Sequence, residues 1–458
     1  MSQNRSKQNQ IHPLLEEDAE EILSNPERYS NNEPQRVGIE SEFAVLNGEE
    51  PASDDKRDEA IKDLEFAEEE LGAAMAETQT PPMQLESLQQ MENALGERYN
   101  QLAEEMAEQG LSLIRYGTHP FTDVDDIQTT DKDRYDVLVD TFDDLREQHI
   151  GELPMFGEEE QIDPNTAAIP AAICSTQTNI QAESWEDAVE KNNYAAMTLP
   201  YAIALSGNSR IIEGKDTGFA DTRMQLWEMN YNTDETPAKV GPLDGYVDDT
   251  EDYLSRLGIF FEDDGEDPDH FGDAIGEHWK DVRIKVEEEE QQGGTKEHYI
   301  VTEIRPLSMQ PSVAEETAVH GFMIGRIAYA QENEEELTPY DEVLENREKA
   351  MKQGLSVDQM VYNKNGQVVR ADTDTVLREE IDKARKGLEE LSIDDPGYMD
   401  LLEERIEYGT PADRSAEIYN RLSSNGSTQE EALKQALAID DGAVWDSQNP
   451  METHYSSQ

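Results

Sequence analysis

Polar and apolar positions alternate along residues 35–46, QRVGIESEFAVL. In an extended chain Val37, Ile39, Ser41, Phe43 and Val45 fall on one side, and Gly38, Glu40, Glu42 and Ala44 on the other. The pattern predicts a strand over 36–46 with two carboxylates side by side on its second face. MAETQTPPMQL, 75–85, predicts another strand, stopped by Pro81 and Pro82. Leu85, Leu88, Met91, Leu95 and Leu102 recur at helical spacing and predict a long helix over 84–109. LSLIRYGTHPF, 111–121, reads as a strand running into a turn. AAICSTQTNIQ, 171–181, and EHYIVTEIRPL, 297–307, read as strands. Helices are expected over about 184–206 and 312–331, and VEEEEQQGG, 286–294, as an exposed hairpin loop.

Strands and helices mix without βαβ regularity, and the sequence shows no internal repeat. This predicts an α+β fold in preference to a parallel doubly wound sheet. Three regions are expected: a polar N-terminal extension over 1–35 with one short acidic helix, a sheet region carrying the site over 36–331, and a helical, acidic C-terminal region over 332–458 packed on the same domain.

Charge changes the picture. Acids outnumber bases 104 to 37 in 458 residues, a formal net charge of −67, and the acids run along the whole chain. Patterned apolar segments with 4 Trp, 17 Tyr and 10 Phe argue for a folded protein over disorder. Such self-repulsion strains a compact state unless salt screens it, so the composition points to a halophilic protein of a salt-rich cytoplasm. No basic patch offers itself to nucleic acid or to an anionic membrane. The one cysteine, Cys174, excludes an intrachain disulfide and suggests a reducing compartment. The opening MSQNRSKQNQ lacks the apolar stretch of a signal peptide, and no apolar run reaches the length of a membrane span. Small-molecule partners and a monomer or small homo-oligomer are expected.

The strands share one feature. Glu40 and Glu42 lie on one face, as do Glu77 and Gln79, then Ser175, Gln177, Asn179 and Gln181, then Glu303 and Arg305. Paired into one sheet, they would form a polar floor with at least four carboxylates. Clustered carboxylates need counter-charge, and Mg²⁺ with nucleotide phosphates would supply it. A solvated sheet face is the bland alternative. No Walker A sequence and no GxGxxG occurs. Elsewhere, His119 sits in the turn GTHPF, where a structural hydrogen-bonding role competes with a ligand role. EGKDTGFADTRMQLWE offers Lys215, Arg223 and Trp227, with Arg223 suited to a carboxylate or phosphate. Cys174 falls on the apolar face of its strand and is expected in the core.

GIESEF, ETQTPP, GTHPF, STQTNIQ, LPYAIALSGNSRIIEGKDTGFADTRMQLWE and TEIRPLSMQP occur in the order seen in glutamate–cysteine ligases, and GYMDLLEERIEYGTPADRSAEIYNRL is similar to C-terminal helices of that family. The resemblance is to the plant and proteobacterial branch and covers roughly 36–425. It implies a glutamine-synthetase-like fold whose curved, largely antiparallel sheet, with surrounding helices, forms a funnel-shaped site, and ATP- and Mg²⁺-dependent ligation of L-glutamate to L-cysteine. By motif match Glu40, Glu42, Glu77 and Glu303 would be Mg²⁺ ligands, with Gln177 where some relatives carry a metal-binding histidine, and Glu70 a further ligand. Arg305 would steady the transferred phosphoryl group. Arg223, Lys215, Trp227, Asn179, Thr118 and His119 would line the substrate and ATP sites. The chain departs from the family where it reads GNSRI, residues 207–211, in place of a sequence like ANSPF, so Arg210 and Ile211 are expected to alter the substrate wall. Another amine acceptor, a non-catalytic glutamate- or nucleotide-binding paralogue and a metal-dependent phosphohydrolase stay open as alternatives.

Overall fold

The computed structural model describes residues 11–30, 35–48, 50–121, 123, 126–132, 135, 138–140, 168–231, 240–258, 270–290, 296–364 and 366–437. Twelve strands occur among them: β1 (Val37–Asn47), β2 (Glu50–Pro51), β3 (Ala67–Glu69), β4 (Met75–Gln79), β5 (Ser112–Ile114), β6 (Ser175–Ala182), β7 (Ile211–Ile212), β8 (Lys215–Asp216), β9 (Val282–Glu290), β10 (Lys296–Ser308), β11 (Gln359–Lys364) and β12 (Gln367–Asp372). The main sheet runs β3-β4-β1-β6-β10-β9, with β2 and β5 also pairing with β1. Every pair in it is antiparallel. The chain is thus α+β, with an antiparallel main sheet.

The four strands chosen for their paired polar residues are consecutive in this order: β4, β1, β6 and β10. Register puts Glu42 opposite Glu77, Glu40 between Gln79 and Gln177, and Glu303 opposite Asn179. The other face is the core. Val37, Ile39, Ile180 and Ile304 pack there with the helices Trp185–Ser206 and Val313–Glu332. Cys174 is buried in an adjoining apolar cluster with Phe43 and Met75, as its alternation demands.

Caps set the helix starts. Ser87 and Gln90 form a capping box, so the helix expected from 84 begins at Leu88 and runs to Glu108. Ser184 and Ser312 cap the two helices beneath the sheet.

Three expectations change. VEEEE continues β9 to Glu290, because Val282, Ile284 and Val286 alternate toward the core; residues 291–294 lie outside the described residues. In the N-terminal segment the helix Glu16–Ser24 is docked: Leu15, Ala19, Ile22 and Tyr29 are buried in one cluster with Trp185, while residues 1–10 lie outside the described residues. The C-terminal region carries the β11–β12 hairpin among its helices. There the helix Thr373–Glu390 crosses Val313–Glu332 at Gly325 and Gly387, where a Cβ on Gly325 would stand 2.2 Å from the Ala384 carbonyl oxygen. Residues 438–458 lie outside the described residues.

Candidate active site

The polar face of β4, β1, β6, β10 and β9 floors a cavity of ≈ 840 Å³ lined by Glu40, Glu42, Glu70, Glu77, Gln177, Arg283, Lys285, Glu303 and Arg305. A narrower cavity of ≈ 100 Å³ adjoins it, sharing Glu42, Glu70, Trp227, Trp279 and Arg305 and adding Arg223, Lys280 and Arg347. β1 supplies Glu40 and Glu42 because their neighbours Ile39, Ser41 and Phe43 are pulled to the core side.

At one end of the floor, carboxylate oxygens of Glu42, Glu70 and Glu77 all lie within 4.8 Å of one another. Like charges opposite each other on paired strands repel, and Glu42 and Glu77 are such a pair. Burial pushes all three up, and neighbouring carboxylates add to it at Glu70, which reaches about 7, and at Glu77, which rises well above the ordinary carboxylate range. At Glu42 the Ser175 N–H and the Arg223 and Arg305 charges offset burial only in part. Glu42 Oε2 accepts the Ser175 N–H at 2.6 Å, and its Oε1 accepts Gln177 Nε2 at 3.1 Å. An all-oxygen set of three crowded carboxylates, short of protein cations, suits a hard divalent cation. The donor chemistry therefore fits the metal that the resemblance implies.

Glu303 is different. It is fully buried, accepts Arg283 Nε, and lies 2.7 Å from Arg305 Nη1 and 3.0 Å from Lys285 Nζ. Burial would push it up, but these three charges hold it well below the ordinary carboxylate range. Lys285 also reaches Glu40 Oε1 at 3.3 Å. Arg305 Nη1 donates to Gln177 Oε1 at 2.9 Å. The amide of Gln177 thus links Arg305 to Glu42, with its oxygen on the arginine. The expected ligand set is therefore divided: Glu42 and Glu77 join Glu70, while Glu40 and Glu303 face protein cations.

Arg223 projects from the helix Thr222–Tyr231 into the narrow cavity. Asp221 starts that helix: it accepts Ser209 Oγ at 2.8 Å and Ser308 Oγ at 3.0 Å. The Arg223 side chain is 7% exposed and its Nε is 3.7 Å from Asp221 Oδ1, yet Nε and Nη2 have no hydrogen-bond partner among the described residues. A guanidinium in that state, beside Leu71, Met75, Ile173 and Met224, suits a carboxylate or phosphate. Trp227 and Trp279, with centroids 5.3 Å apart, line both cavities.

Asn179 lies further along the floor, donating to Glu40 Oε1 at 3.1 Å. Three expected residues fall elsewhere. Thr118 Oγ1 donates to the Ile211 carbonyl at 2.6 Å, and the His119 N–H to the Ala172 carbonyl. Burial lowers His119 to about 4. Both brace the segment that presents Pro170 and Ile173 to the narrow cavity. Lys215 pairs with Glu213 at 2.6 Å in a separate cavity beside Gln429 and Leu433. The departing residues line neither the large nor the narrow cavity: Arg210 turns to Asp216 at 2.6 Å, and Ile211 is buried in β7.

Sequence reasoning missed Arg283 and Lys285, although VRIKVE carries charged residues at alternate positions. It also missed what lies under the floor. Glu316 Oε1 accepts Ser41 Oγ at 2.5 Å and Thr176 Oγ1 at 2.7 Å, and the His320 ring nitrogens meet Thr176 and Thr178 at 2.8 and 2.7 Å. Arg115 pairs with Glu316; burial opposes ionisation, but Arg115 and His320 hold that carboxyl at about 2. This network ties β1 to β6 directly behind Glu40, Glu42 and Gln177.

The family model for glutamate-cysteine ligase family 2 matches residues 36–438. Among curated proteins the chain is similar to one of Rubrobacter xylanophilus provisionally named glutamate–cysteine ligase 2-1, 26% identical over 219 residues, covering 46% of this chain and 52% of the relative. A Saccharopolyspora erythraea protein of the same provisional name is 26% identical over 193 residues, covering 42% of this chain and 45% of the relative. The chain spans about half the length of the curated relatives it matches. Among solved structures, a glutamate–cysteine ligase of Francisella tularensis in complex with AMP aligns with a TM-score of 0.48 at 13% identity, over 90% of this chain and 95% of that one. A bifunctional glutathione synthetase of Pasteurella multocida aligns with a TM-score of 0.48 at 12% identity, over 93% of this chain and 54% of that one.

Proposed function

The chain belongs to glutamate-cysteine ligase family 2, and from that premise we propose that it is an ATP-dependent carboxylate–amine ligase that joins the γ-carboxylate of L-glutamate to the amine of L-cysteine. The observation that carries this reading is the divided floor. A cation-poor group of three carboxylates stands beside the Arg305–Glu303 pair, within one cavity, with the Arg223 guanidinium in the next.

A carboxylate does not acylate an amine directly. In the proposed reaction a γ-carboxylate oxygen of glutamate bonds to the terminal phosphorus of ATP, and the bond to the bridging oxygen breaks to release ADP. The cysteine nitrogen then bonds to the activated acyl carbon, phosphate leaves, and the nitrogen gives up its proton. Glu42, Glu70 and Glu77 would hold Mg²⁺, with which ATP is bound and which offsets charge on the phosphates. Arg305 would hold the transferring phosphoryl group, being kept in place by Glu303 and Gln177. Arg223 would bind a substrate carboxylate against the apolar wall of the narrow cavity. Trp227 and Trp279 would close the site from water.

The test is ADP release by the chain in molar KCl with Mg-ATP and L-glutamate, with and without L-cysteine, followed by mass analysis of the product. Cysteine-dependent ADP release with γ-glutamylcysteine formed is expected. Release that needs a different amine would keep the chemistry and change the acceptor. Phosphate release without any amino acid would replace the ligase by a phosphohydrolase, and absence of turnover would leave a binding protein.

A further inference from the structure

Beneath Glu40, Glu42 and Gln177 the core side of the sheet is polar where alternation asks for apolar residues. Ile39 and Phe43 on β1 and Ile180 on β6 join the apolar clusters, but Ser41, Thr176 and Thr178 stand in the same rows and are buried too. In register Ser41 lies opposite Thr176, and Ile39 opposite Thr178. The three hydroxyls meet Glu316 and His320, which sit one turn apart on the helix Val313–Glu332 and are both fully buried. Exchanging buried charged groups for apolar residues of similar volume is often neutral or stabilising, so stability alone is a weak account of this network.

Its hydrogen bonds run in one direction. Arg115 pairs with Glu316 Oε2 and keeps the carboxylate ionised, so Oε1 can only accept. Ser41 and Thr176 both donate to it, at 2.5 and 2.7 Å. With its proton given, Thr176 Oγ1 accepts from His320 Nε2 at 2.8 Å, and Thr178 Oγ1 donates to Nδ1 at 2.7 Å. His320 Nε2 is 3.8 Å from Glu316 Oε1, beyond hydrogen-bond reach, so the Thr176 hydroxyl is the link between them. Thr176 Oγ1 also approaches the Glu40 carbonyl oxygen at 3.1 Å. Thr176 is thus the junction, and its two chain neighbours are the groups that hold Glu42: the Ser175 N–H on Oε2 and Gln177 Nε2 on Oε1.

We propose that Glu316 and His320, joined through Thr176, are positioning residues that hold Glu42 and Gln177 in place for the divalent cation. The proposal rests on the metal-dependent reading above and adds what keeps the site formed before the cation arrives. Neither Glu316 nor His320 lines a cavity of the floor, so they act only through β1 and β6. Glu42 and Glu77 repel each other across the β1–β4 pair. The network fixes β1 to β6 on the opposite side, so Glu42 keeps its place while that repulsion is not offset. A buried network with every partner supplied makes one arrangement rigid. Without the junction, Ser175 and Gln177 would loosen their hold on Glu42, and part of the binding energy of the cation would be used to re-form the site. Affinity for the cation would fall, whereas the filled site would work as before.

The test is binding of Mn²⁺, which suits an all-oxygen site, to the nucleotide-free full chain in molar KCl. Free Mn²⁺ is read by electron paramagnetic resonance, with Glu42→Gln as the protein that lacks the site. Thr176→Val removes the junction at nearly constant volume, and Thr176→Ser keeps the hydroxyl. Ile381→Val thins the core on the helix Thr373–Glu390 and touches no part of the network, so it controls for lost stability. Thr176→Val is expected to weaken Mn²⁺ binding fivefold or more, with Thr176→Ser and Ile381→Val within twofold of the wild type. In turnover, the Mg²⁺ concentration for half-maximal ADP release should rise fivefold or more in Thr176→Val while kcat changes less than threefold. Thr178→Val, at the far end of the network, should weaken Mn²⁺ binding at least twofold, and it carries the test if Thr176→Val does not fold. Unchanged binding in whichever of the two valine variants folds, or an equal loss in Ile381→Val, would overturn the positioning role and leave the metal reading standing. Wild-type binding no tighter than that of Glu42→Gln would remove the cation from these carboxylates, and the positioning role with it.

Discussion

Two groups of carboxylates stand on one face of one sheet, and their surroundings push them in opposite directions. Glu42, Glu70 and Glu77 are crowded together; burial favours a proton on all three, and neighbouring carboxylates add to it at Glu70 and Glu77. Glu303, two strands from Glu42, is buried more deeply and yet is held ionised by Arg283, Arg305 and Lys285. The difference is in cation supply. One group has been given its counter-charges by the protein, and the other, in the proposed reading, would receive them from a ligand. On this view the first group is a stability element that orients Arg305, and the second is a binding element whose cost is met only when it is occupied.

The comparison breaks most visibly in turnover. Glu42→Gln and Glu77→Gln should each lower ADP release by about 10³ or more, since a lost metal-holding carboxylate removes several kcal/mol of charge stabilisation. Glu77→Gln should melt no lower than the wild type in EDTA, because it removes repulsion, whereas Glu42→Gln also gives up one of the two hydrogen bonds its carboxylate accepts. A variant that keeps more than about a tenth of wild-type turnover would end the assignment of these residues to the metal.

Glu303→Gln should show the reverse profile. It leaves two arginines and a lysine around a neutral amide, and losing one partner of a buried ion pair costs about 3–5 kcal/mol. Urea unfolding at fixed salt measures this. A loss below about 1 kcal/mol would mean that Glu303 is no more than a solvated ligand, and the contrast between the two groups would dissolve.

How much of this was legible beforehand depended on how local the cause was. Alternation within each strand was enough to put Glu40 and Glu42, Glu77 and Gln79, Gln177 and Asn179, and Glu303 and Arg305 on one face, and these four strands do pair side by side. The charge state of each carboxylate was not legible, because it is set across strands. Lys285 reaches Glu40 over 245 positions of sequence, and Arg283 meets Glu303 only through the β9–β10 register. Reading 286–294 as a loop hid that strand, since a run of glutamates masks the alternation of Val282, Ile284 and Val286. The Ser41, Thr176 and Thr178 hydroxyls on the core side were a readable signal. Polar residues on a buried face need partners, and here Glu316 and His320, one helical turn apart, supply them. Thr118 and His119 misled because a short polar turn after a strand looks the same whether it faces a ligand or braces a neighbouring loop.

A smaller effect separates the groups by pH. In the metal-free chain Glu70 is raised from the ordinary carboxylate value to about 7. The stability that its protonation contributes is fully present below the unfolded carboxylate pKa and is lost as pH rises through 7. The loss between pH 5 and 8 should be on the order of 2 kcal/mol. Melting in EDTA across that range, with Glu70→Gln as control, reads it, and the variant should lack this part of the slope. Mg²⁺ should raise the melting temperature more at pH 8 than at pH 6, because ligand carboxylates must be deprotonated. A Mg²⁺ gain independent of pH would place the cation elsewhere.

The smallest expected effect concerns salt. Many acidic side chains among the described residues face solvent, where raising KCl from 0.1 M to 1 M shortens the screening length from about 10 Å to about 3 Å. The melting temperature should therefore climb steeply over that range. The pairs around Glu303 are at contact distance and the carboxylate itself is fully buried, so their attraction is screened less than that of charges spread over the surface. The unfolding penalty of Glu303→Gln should consequently change by less than about 0.5 kcal/mol between 0.5 M and 3 M KCl, while the wild type itself gains several degrees. Urea titrations of both chains at the two salt concentrations make the measurement. A penalty that shrinks in step with the surface effect would show that water and ions reach the floor, and the protein cations would then be screened partners in place of permanent ones.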